Sequence, residues 1–190
     1  MPNTRELRQD IQFDATLMGL PFHFRSTWGL FSPTDIDEGS RLLLDFLEVK
    51  PTNVVLDIGC GYGALGIPIA KRVKEVHMID KDFVAVDYAQ KNADMNGIKN
   101  TRTYLSNGFS AVGDQKFDLI VSNLPAKVGK EFFWILLEDA KRHLNPGGRI
   151  VVVTITGLRE YIKREFKETF GNYDKLKQGK TYTVGLAIKE

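Results

Sequence analysis

The chain has 190 residues, a formal net charge of +2 and 43% hydrophobic residues. These values are typical of one globular domain and exclude a disordered or strongly charged chain. No apolar run approaches the length that spans a membrane, and the first ten residues lack the apolar core of a signal peptide. The single cysteine, Cys60, cannot form an internal disulfide. We therefore expect a cytoplasmic protein without a membrane partner.

Charge is distributed unevenly along the chain. Residues 141–190 hold eleven Lys and Arg against five Asp and Glu, which gives +6, so the remaining residues sum to −4. A basic C-terminal third is suited to phosphate backbones, and Lys177 and Lys180 are candidate contacts. A solvated helix face explains the same charges, and the composition alone does not decide between the two.

The hydrophobic pattern predicts strands and helices in alternation. Residues 11–27 predict two short strands joined by a turn, and a helix follows from an entrance at 33–35, with Leu43, Phe46 and Leu47 buried. Further strands are predicted at 53–57, 75–80, 101–105, 117–122, 149–155 and 181–188, and further helices at 67–73, 83–95, 131–143 and 158–170. In the helix at 131–143, the side predicted to be buried carries Phe132, Ile135, Leu136 and Ala140.

This alternation is typical of an α/β fold with a doubly wound, mostly parallel sheet. The unbroken apolar run at 150–153 predicts a strand that is buried on both faces. We expect seven strands, an antiparallel strand at the C-terminal end and a short N-terminal β-hairpin. The expected organisation is a single domain over 1–190, with 1–30 as the hairpin extension and 31–190 as the core that binds a cofactor.

The most informative motif is NVVLDIGCGYGALG at residues 53–66. An apolar strand ends in Asp57, and Gly59, Gly61, Gly63 and Gly66 follow before a helix. Strand, glycine-rich turn and helix together predict a nucleotide-binding unit, in which backbone approaches the ligand closely. The spacing Gly-x-Gly-x-x-Gly with an acidic residue ending the next strand also fits a dinucleotide site, so NAD has to be considered.

The segment D-x-G-x-G at 57–61 resembles the first motif of class I methyltransferases, whose cofactor is S-adenosylmethionine. This resemblance implies that Gly59 and Gly61 face the methionine part of the cofactor, at a site that Asp57 shapes. Asp80 would accept hydrogen bonds from both ribose hydroxyls, and Asn107 would approach the adenine. Two simpler interpretations stay open: Asp57 caps the following helix, and Asn107 makes a turn.

The strand at 117–122 runs into Ser-Asn-Leu-Pro-Ala, which resembles the Asn-Pro-Pro-aromatic motif of methyltransferases that modify conjugated amino groups. The resemblance implies that the Asn123 side chain and the Leu124 carbonyl accept from the amine, beside Pro125. Leu124 replaces a proline and Ala126 replaces the aromatic residue that stacks on the base. Stacking would then come from elsewhere, with Trp28, Phe31 and Phe132 as candidates, and an ordinary exit from a strand remains the alternative.

Three segments together resemble the catalytic domain of the small-subunit rRNA guanine-N2 methyltransferases, over about residues 22–190. They are GLFSPTDIDEGSRLLL, VLDIGCGYGALG and LSNGFSAVGDQKFDLIVSNLPAKVGKE, and the block Phe31-Ser32 with Asp37-x-Gly39-Ser40 is specific to that group. The resemblance is closer still to its stand-alone archaeal members, without the additional N-terminal domain of the bacterial enzymes. It implies a Rossmann-like fold and a cofactor-binding set of Phe31, Ser32, Asp57, Ile58, Gly59, Cys60, Gly61, Asp80, Lys81, Asn107, Gly108 and Asn123.

The sequence thus predicts an S-adenosylmethionine-dependent N-methyltransferase that acts on guanine N2 in rRNA, with RNA or the small ribosomal subunit as partner and no metal site. Two alternatives stay open. One is methylation of a protein glutamine or a small molecule. The other is a protein that binds the cofactor without catalysis and acts as a scaffold or partner subunit.

Overall fold

The structure, a computed structural model, describes residues 9–125 and 129–190. The strands are β1 (Ile11–Leu17), β2 (Leu20–Ser26), β3 (Val54–Ile58), β4 (Glu75–Asp80), β5 (Thr101–Leu105), β6 (Phe117–Asn123), β7 (Leu144–Ile155), β8 (Asp174–Gln178) and β9 (Tyr182–Ile188). The α-helices are α1 (Glu38–Phe46), α2 (Gly66–Ala70), α3 (Phe83–Met95), α4 (Lys130–His143) and α5 (Arg159–Phe170), and a 3-10 turn at Thr156–Leu158 precedes α5. None of the helices in the described residues is long and apolar enough to cross a membrane.

Seven strands form one sheet in the order β5-β4-β3-β6-β7-β9-β8. Strands β3 to β7 run parallel to one another, and β9 is antiparallel to both β7 and β8. The doubly wound sheet with one reversed C-terminal strand is therefore confirmed. The carboxyl ends of β3, β4, β5 and β6 share one edge, which is where ligands bind in open sheets of this kind.

Both faces of the sheet are covered. One apolar cluster joins the sheet to α1, α2 and α3, and a second joins it to α4 and α5. Along β7, Val151 and Val153 belong to the first cluster, whereas Ile150 and Val152 belong to the second, and all four are fully buried. The prediction that this strand is buried on both faces is confirmed.

The N-terminal hairpin is present as predicted and packs into the first cluster through Phe22 and Phe24. Its turn at Met18 and Gly19 has φ of 50° and 79°, the positive values that two-residue hairpin turns require. The outer edge of β2 packs against Asn92 of α3 and Asn96, the C-terminal cap of α3: Asn92 bonds the backbone of Arg25, and Asn96 bonds the backbone of His23. These side-chain amides make hydrogen bonds to the backbone of β2 that a neighbouring strand would otherwise make.

Two helix predictions were wrong in detail. α1 begins at Glu38 rather than near 33–35, because the Asp37 carboxylate caps it by accepting from Ser40 N at 3.0 Å. Its residue Phe46 is 40% exposed.

In α4 the buried side carries Phe133, Leu136, Leu137 and Ala140, while Phe132 and Ile135 are about half exposed. Apolar residues fill all six positions 132–137. Periodicity alone therefore does not decide which of two faces of α4 is buried. Packing against α5 and the sheet decides it.

Candidate active site

The glycine-rich loop after β3 contains glycines of two kinds. Gly59 and Gly61 have φ of +72° and +55°, and a Cβ added to either would meet no atom of the described residues within 4 Å. At Gly63 an added Cβ would lie 2.5 Å from Ile67 Cδ1, and at Gly66 2.6 Å from Met78. The first pair therefore faces an open cradle that only backbone lines, whereas the second pair allows the loop and α2 to pack on the sheet.

Asp57 lies at the base of this cradle and is fully buried. Its Oδ2 accepts from Gly66 N at 2.9 Å, while Oδ1 has no hydrogen-bond partner among residues 9–125 and 129–190. Burial raises the pKa of this carboxyl to about 7, against the opposing Gly66 N–H and with a further rise from nearby Asp80. The helix-capping interpretation thus has a structural basis, and one oxygen remains available to a cationic ligand.

Asp80 closes the other side of the loop. Its Oδ2 accepts from Gly61 N and its Oδ1 from Asp82 N, both at 3.0 Å. Each carboxylate oxygen retains a lone pair, so these bonds leave room for ligand hydroxyls. The exposed Lys81 follows directly.

The loop after β5 is held at the same edge, because Ser106 N donates to the Asp80 carbonyl at 2.8 Å. Asn107 is exposed, and its backbone N–H donates to Ser110 Oγ at 3.2 Å. Gly108 has φ of +55°, and an added Cβ there would meet open space within the described residues. The structure therefore brings Asp80, Asn107 and Gly108 together, and it also gives Asn107 the turn that the alternative interpretation proposes.

The segment before α1 is fastened to the glycine-rich loop by Tyr62. Its buried hydroxyl lies 3.1 Å from the Ser32 carbonyl and 3.2 Å from the Asp35 carbonyl, and it donates to both. Ser32 has a φ of +47°, in the left-handed region, and Phe31 is 68% exposed. Phe31 and Ser32 thus lie on a strap beside the cradle, although nothing in the sequence signals the tethering role of Tyr62.

Ile58 and Cys60 are both buried, so their side chains belong to the protein interior. Burial raises the pKa of the Cys60 thiol, with the charges of Asp57 and Asp80 adding to the effect. A thiolate is therefore disfavoured, which is consistent with a space-filling residue. Only the backbone of these two residues is available to a ligand. Among the described residues there is no group of three or more His, Cys, Asp or Glu side chains that could hold a metal ion.

Asn123, half-buried at the end of β6, lies in a polar network on the α1 side of the sheet. Its Nδ2 donates to Asp37 Oδ2 at 2.7 Å and to Ser40 Oγ at 2.9 Å. Tyr182, from β9, donates to Asp37 Oδ1 at 2.9 Å. The sequence places Asp37 and Ser40 in a family-specific block, but the contact with a tyrosine 145 residues away has no signal in the sequence.

Leu124 and Pro125 continue from β6, with Leu124 N donating to the Val153 carbonyl at 2.9 Å. Ala126, where the sequence departs from the aromatic of the resembled motif, lies outside the described residues. A cavity of about 350 Å³ opens at this point, on the α4 and α5 side of the sheet. Its lining is mainly apolar and consists of Leu124, Pro125, Phe133, Thr154, Leu158, Tyr161, Ile162 and Arg164.

None of the predicted stacking residues, Trp28, Phe31 and Phe132, is among the residues that line this cavity. The aromatic side chains there are Phe133 and Tyr161. The buried Thr154 hydroxyl has no partner among the described residues, and it lies with the Arg164 side chain in the otherwise mainly apolar lining. For the residue on α4, the helical register explains the difference, because it turns Phe133 inward and leaves Phe132 45% exposed.

The family model and the known relatives that match this chain agree on one family. Residues 21–185 match the family model described as the methyltransferase small domain. An uncharacterized protein of Bacillus subtilis, YbxB, is 37% identical over 156 residues, which cover 80% of this chain and 77% of that protein. The ribosomal RNA small subunit methyltransferase C of Haemophilus influenzae is 35% identical over 148 residues, covering 74% of this chain and 44% of that protein.

A solved structure shares the fold closely. The Thermus thermophilus 16S rRNA N2 methyltransferase RsmC, in complex with AdoMet and guanosine, has a TM-score of 0.88 and 31% identity, and the match covers 95% of this chain and 51% of that chain. The fold is thus the Rossmann-like fold of the class I methyltransferases. This chain spans about half the length of the two rRNA methyltransferases that it matches. All three of these relatives are bacterial and do not support the predicted closer resemblance to archaeal forms.

Proposed function

The chain belongs to the methyltransferase small domain family, and we propose that it transfers a methyl group from S-adenosylmethionine to the exocyclic N2 amino group of a guanine in ribosomal RNA. The relatives whose names specify rRNA methylation support this proposal. The observation that carries it is the position of Asn123, at the end of the strand next to the one that leads into the glycine cradle.

The cradle fits the cofactor on three points. Gly59 and Gly61 offer backbone to open space where a side chain would obstruct a ligand. Asp57 has a buried carboxylate oxygen without a hydrogen-bond partner in the described part of the chain, which suits a cationic amino group. Asp80 and Asn107 stand at the ends of the next two strands, where ribose and adenine would lie. When bound, S-adenosylmethionine supplies an electrophilic methyl group on a sulfonium.

The chain's own contribution to the reaction is to position the acceptor. A guanine N2 amine is a poor nucleophile because its lone pair is delocalised into the ring. The Asn123 side-chain oxygen and the Leu124 carbonyl would accept its two hydrogens and turn the lone pair toward the methyl group, which accelerates an in-line displacement. No strong base is needed, since the amine proton becomes acidic once the nitrogen is alkylated.

The cavity beside Leu124 and Pro125 has an apolar lining with two aromatic rings, which suits a planar base. Outside it, exposed lysines of the basic C-terminal third, including Lys177 and Lys180, would contact the phosphate backbone. RNA is accordingly the proposed partner.

The test is transfer of a tritiated methyl group to small ribosomal subunits from a strain that lacks this protein. The wild type is expected to label the RNA, and Asn123→Ala is expected to lower the rate by on the order of 100-fold, because the amine loses an acceptor. Asn145→Ala is a matched control. That amide also bonds an aspartate, Asp118, at 2.9 Å, but at the amino-terminal end of β7.

Undiminished labelling by the Asn123 variant would contradict the role of this residue. Label in a protein or a small molecule would instead favour the alternative acceptors. Cofactor binding without transfer to any of these acceptors would favour a non-catalytic scaffold.

A further inference from the structure

We propose that Asp37 is a positioning residue that, with Ser40, fixes the Asn123 amide in the orientation that presents Oδ1 to the acceptor amine. The inference rests on the proposed function and adds the reason why the acceptor must be a hydrogen-bond donor. It is carried by the bonds that link α1, β6 and β9 at the edge of the sheet.

The orientation of an asparagine amide is set by its partners. An ionised aspartate only accepts hydrogen bonds, so the atom of Asn123 that lies 2.7 Å from Asp37 Oδ2 has to be the nitrogen. The second hydrogen on the same nitrogen is directed to Ser40 Oγ at 2.9 Å. If the amide were flipped, Asn123 Oδ1 would face Asp37 Oδ2, and two oxygens that only accept hydrogen bonds would be in contact. Both N–H groups are therefore used within the protein, and Oδ1 has no donor among the described residues.

Asp37 is itself held rigidly. Its Oδ2 also accepts from Ser40 N at 3.0 Å as the cap of α1, and its Oδ1 accepts from Tyr182. Gly39 makes this approach possible, because a Cβ there would lie 2.8 Å from the Tyr182 ring. Burial raises the pKa of Tyr182 to about 12, with Asp37 adding to the rise, so the phenol keeps the proton that it donates.

The fixed orientation of Asn123 selects the acceptor group by whether that group donates or accepts a hydrogen bond. A locked Oδ1 accepts from an amine but offers no donor to a ring carbonyl or an unprotonated ring nitrogen. A free amide would flip and accommodate both kinds of group. The network thus favours an exocyclic amine as the methylated group, and we expect Asp37 to affect the chemical step more than cofactor binding.

The test compares two substitutions of Asp37. Asp37→Ser keeps a good helix cap but is too short to hold Asn123, so the fold should persist while the amide is released. In Asp37→Asn, the new amide oxygen takes the position of Oδ2 and still accepts from Asn123. The new NH₂ group faces Tyr182, whose hydroxyl can turn to accept from it. Asp118→Ser is the matched control, because it removes the aspartate that bonds Asn145 at the other edge of the sheet.

The first readout needs neither cofactor nor RNA. The side-chain amide signals of Asn123 in ¹⁵N–¹H spectra, assigned with Asn123→Ala, should show two hydrogen-bonded protons in the wild type. They should move to free-amide positions in Asp37→Ser and stay in Asp37→Asn. Unchanged signals in Asp37→Ser would overturn the inference.

The second readout is methyl transfer. We expect kcat to fall by on the order of 10- to 100-fold in Asp37→Ser, to return to within about threefold in Asp37→Asn, and to be unaffected in Asp118→Ser. The Kd for S-adenosylmethionine, measured by calorimetry, should change less than about twofold, since the loss concerns acceptor geometry. A wild type that transfers no methyl group would refute the proposed function, and the amide signals would still decide the orientation of Asn123. An active wild type with an equally active Asp37→Ser variant would refute the positioning role alone.

Discussion

At the scale of single residues, Asp57 carries the largest electrostatic cost in the site. Its pKa of about 7 means that the folded chain binds a proton that the unfolded chain, with an ordinary aspartate pKa of 3.8, has already released. Between these two values the native state binds more protons than the unfolded state, so stability falls as pH rises. Three pKa units correspond to about 4 kcal/mol.

Asp57→Asn should therefore stabilise the cofactor-free protein at high pH. The new amide oxygen still accepts from Gly66 N, and the side chain cannot ionise. We expect its free energy of unfolding in urea to exceed that of the wild type by about 2 to 4 kcal/mol at pH 8, and by less than half as much at pH 5, which lies inside the window between the two pKa values. An equal gain at both pH values would show that charge burial is not the cause. The same variant should bind S-adenosylmethionine more weakly if the Asp57 carboxylate holds the cationic amino group as proposed.

Individual site residues differ in how far the sequence predicts them. Asp57, Asp80 and Asn123 each lie at or one residue before the end of a strand, so local pattern places them at one edge of the sheet. Tyr182 and Tyr161 come to the site from elements far along the chain, and no local pattern marks them. The bond between Tyr182 and Asp37 exists only because β9 lies beside β7, next to the amino-terminal end of α1.

At the scale of elements, α3 connects the hairpin to the glycine-rich loop. Asn92 is fully buried; its Oδ1 accepts from Arg25 N at 2.7 Å, and its Nδ2 donates to the carbonyls of Arg25 and Tyr62 at 2.8 and 2.9 Å. One side chain thus satisfies three backbone groups, with a buried bond to Tyr62 and two partly buried bonds to Arg25.

Asn92→Ala should cost about 3 kcal/mol of unfolding free energy, because it leaves these backbone groups without partners. Asn96 offers the matched control. It makes the same kind of bonds to the His23 backbone, at 3.0 and 2.7 Å, where solvent can replace the lost partner. We expect Asn96→Ala to cost about 1 kcal/mol or less in urea denaturation. Equal losses in the two variants would contradict the account of hairpin docking.

Elements with an unambiguous period were predicted to the residue, as β4, β5 and α3 show. The buried face of α4 was not, since Phe132 and Phe133 are both apolar and only the tertiary contacts with Tyr161 and the sheet choose between them. The start of α1 was missed for a similar reason, because Asp35 and Asp37 both precede the helix and the capping geometry selects the second.

At the scale of the whole molecule, the parallel sheet brings together two parts of the chain with separate tasks. The loop after β3 is the proposed cradle for the methyl donor, and the end of β6, more than fifty residues later, carries the residues proposed to hold the acceptor group. β3 and β6 are adjacent in the sheet, so these parts are neighbours. The sequence predicts both parts, and the network of Asp37, Ser40 and Tyr182 that orients the second part emerges only from the fold.

The central claim is that the methyl group goes to guanine N2. The most direct measurement is mass analysis of nucleosides from small-subunit RNA that the wild-type chain has methylated with S-adenosylmethionine. The account predicts N2-methylguanosine at one position, absent from RNA treated with Asn123→Ala. A methyl group on any other nucleoside, or RNA that carries no new methyl group while the protein binds the cofactor, would contradict it.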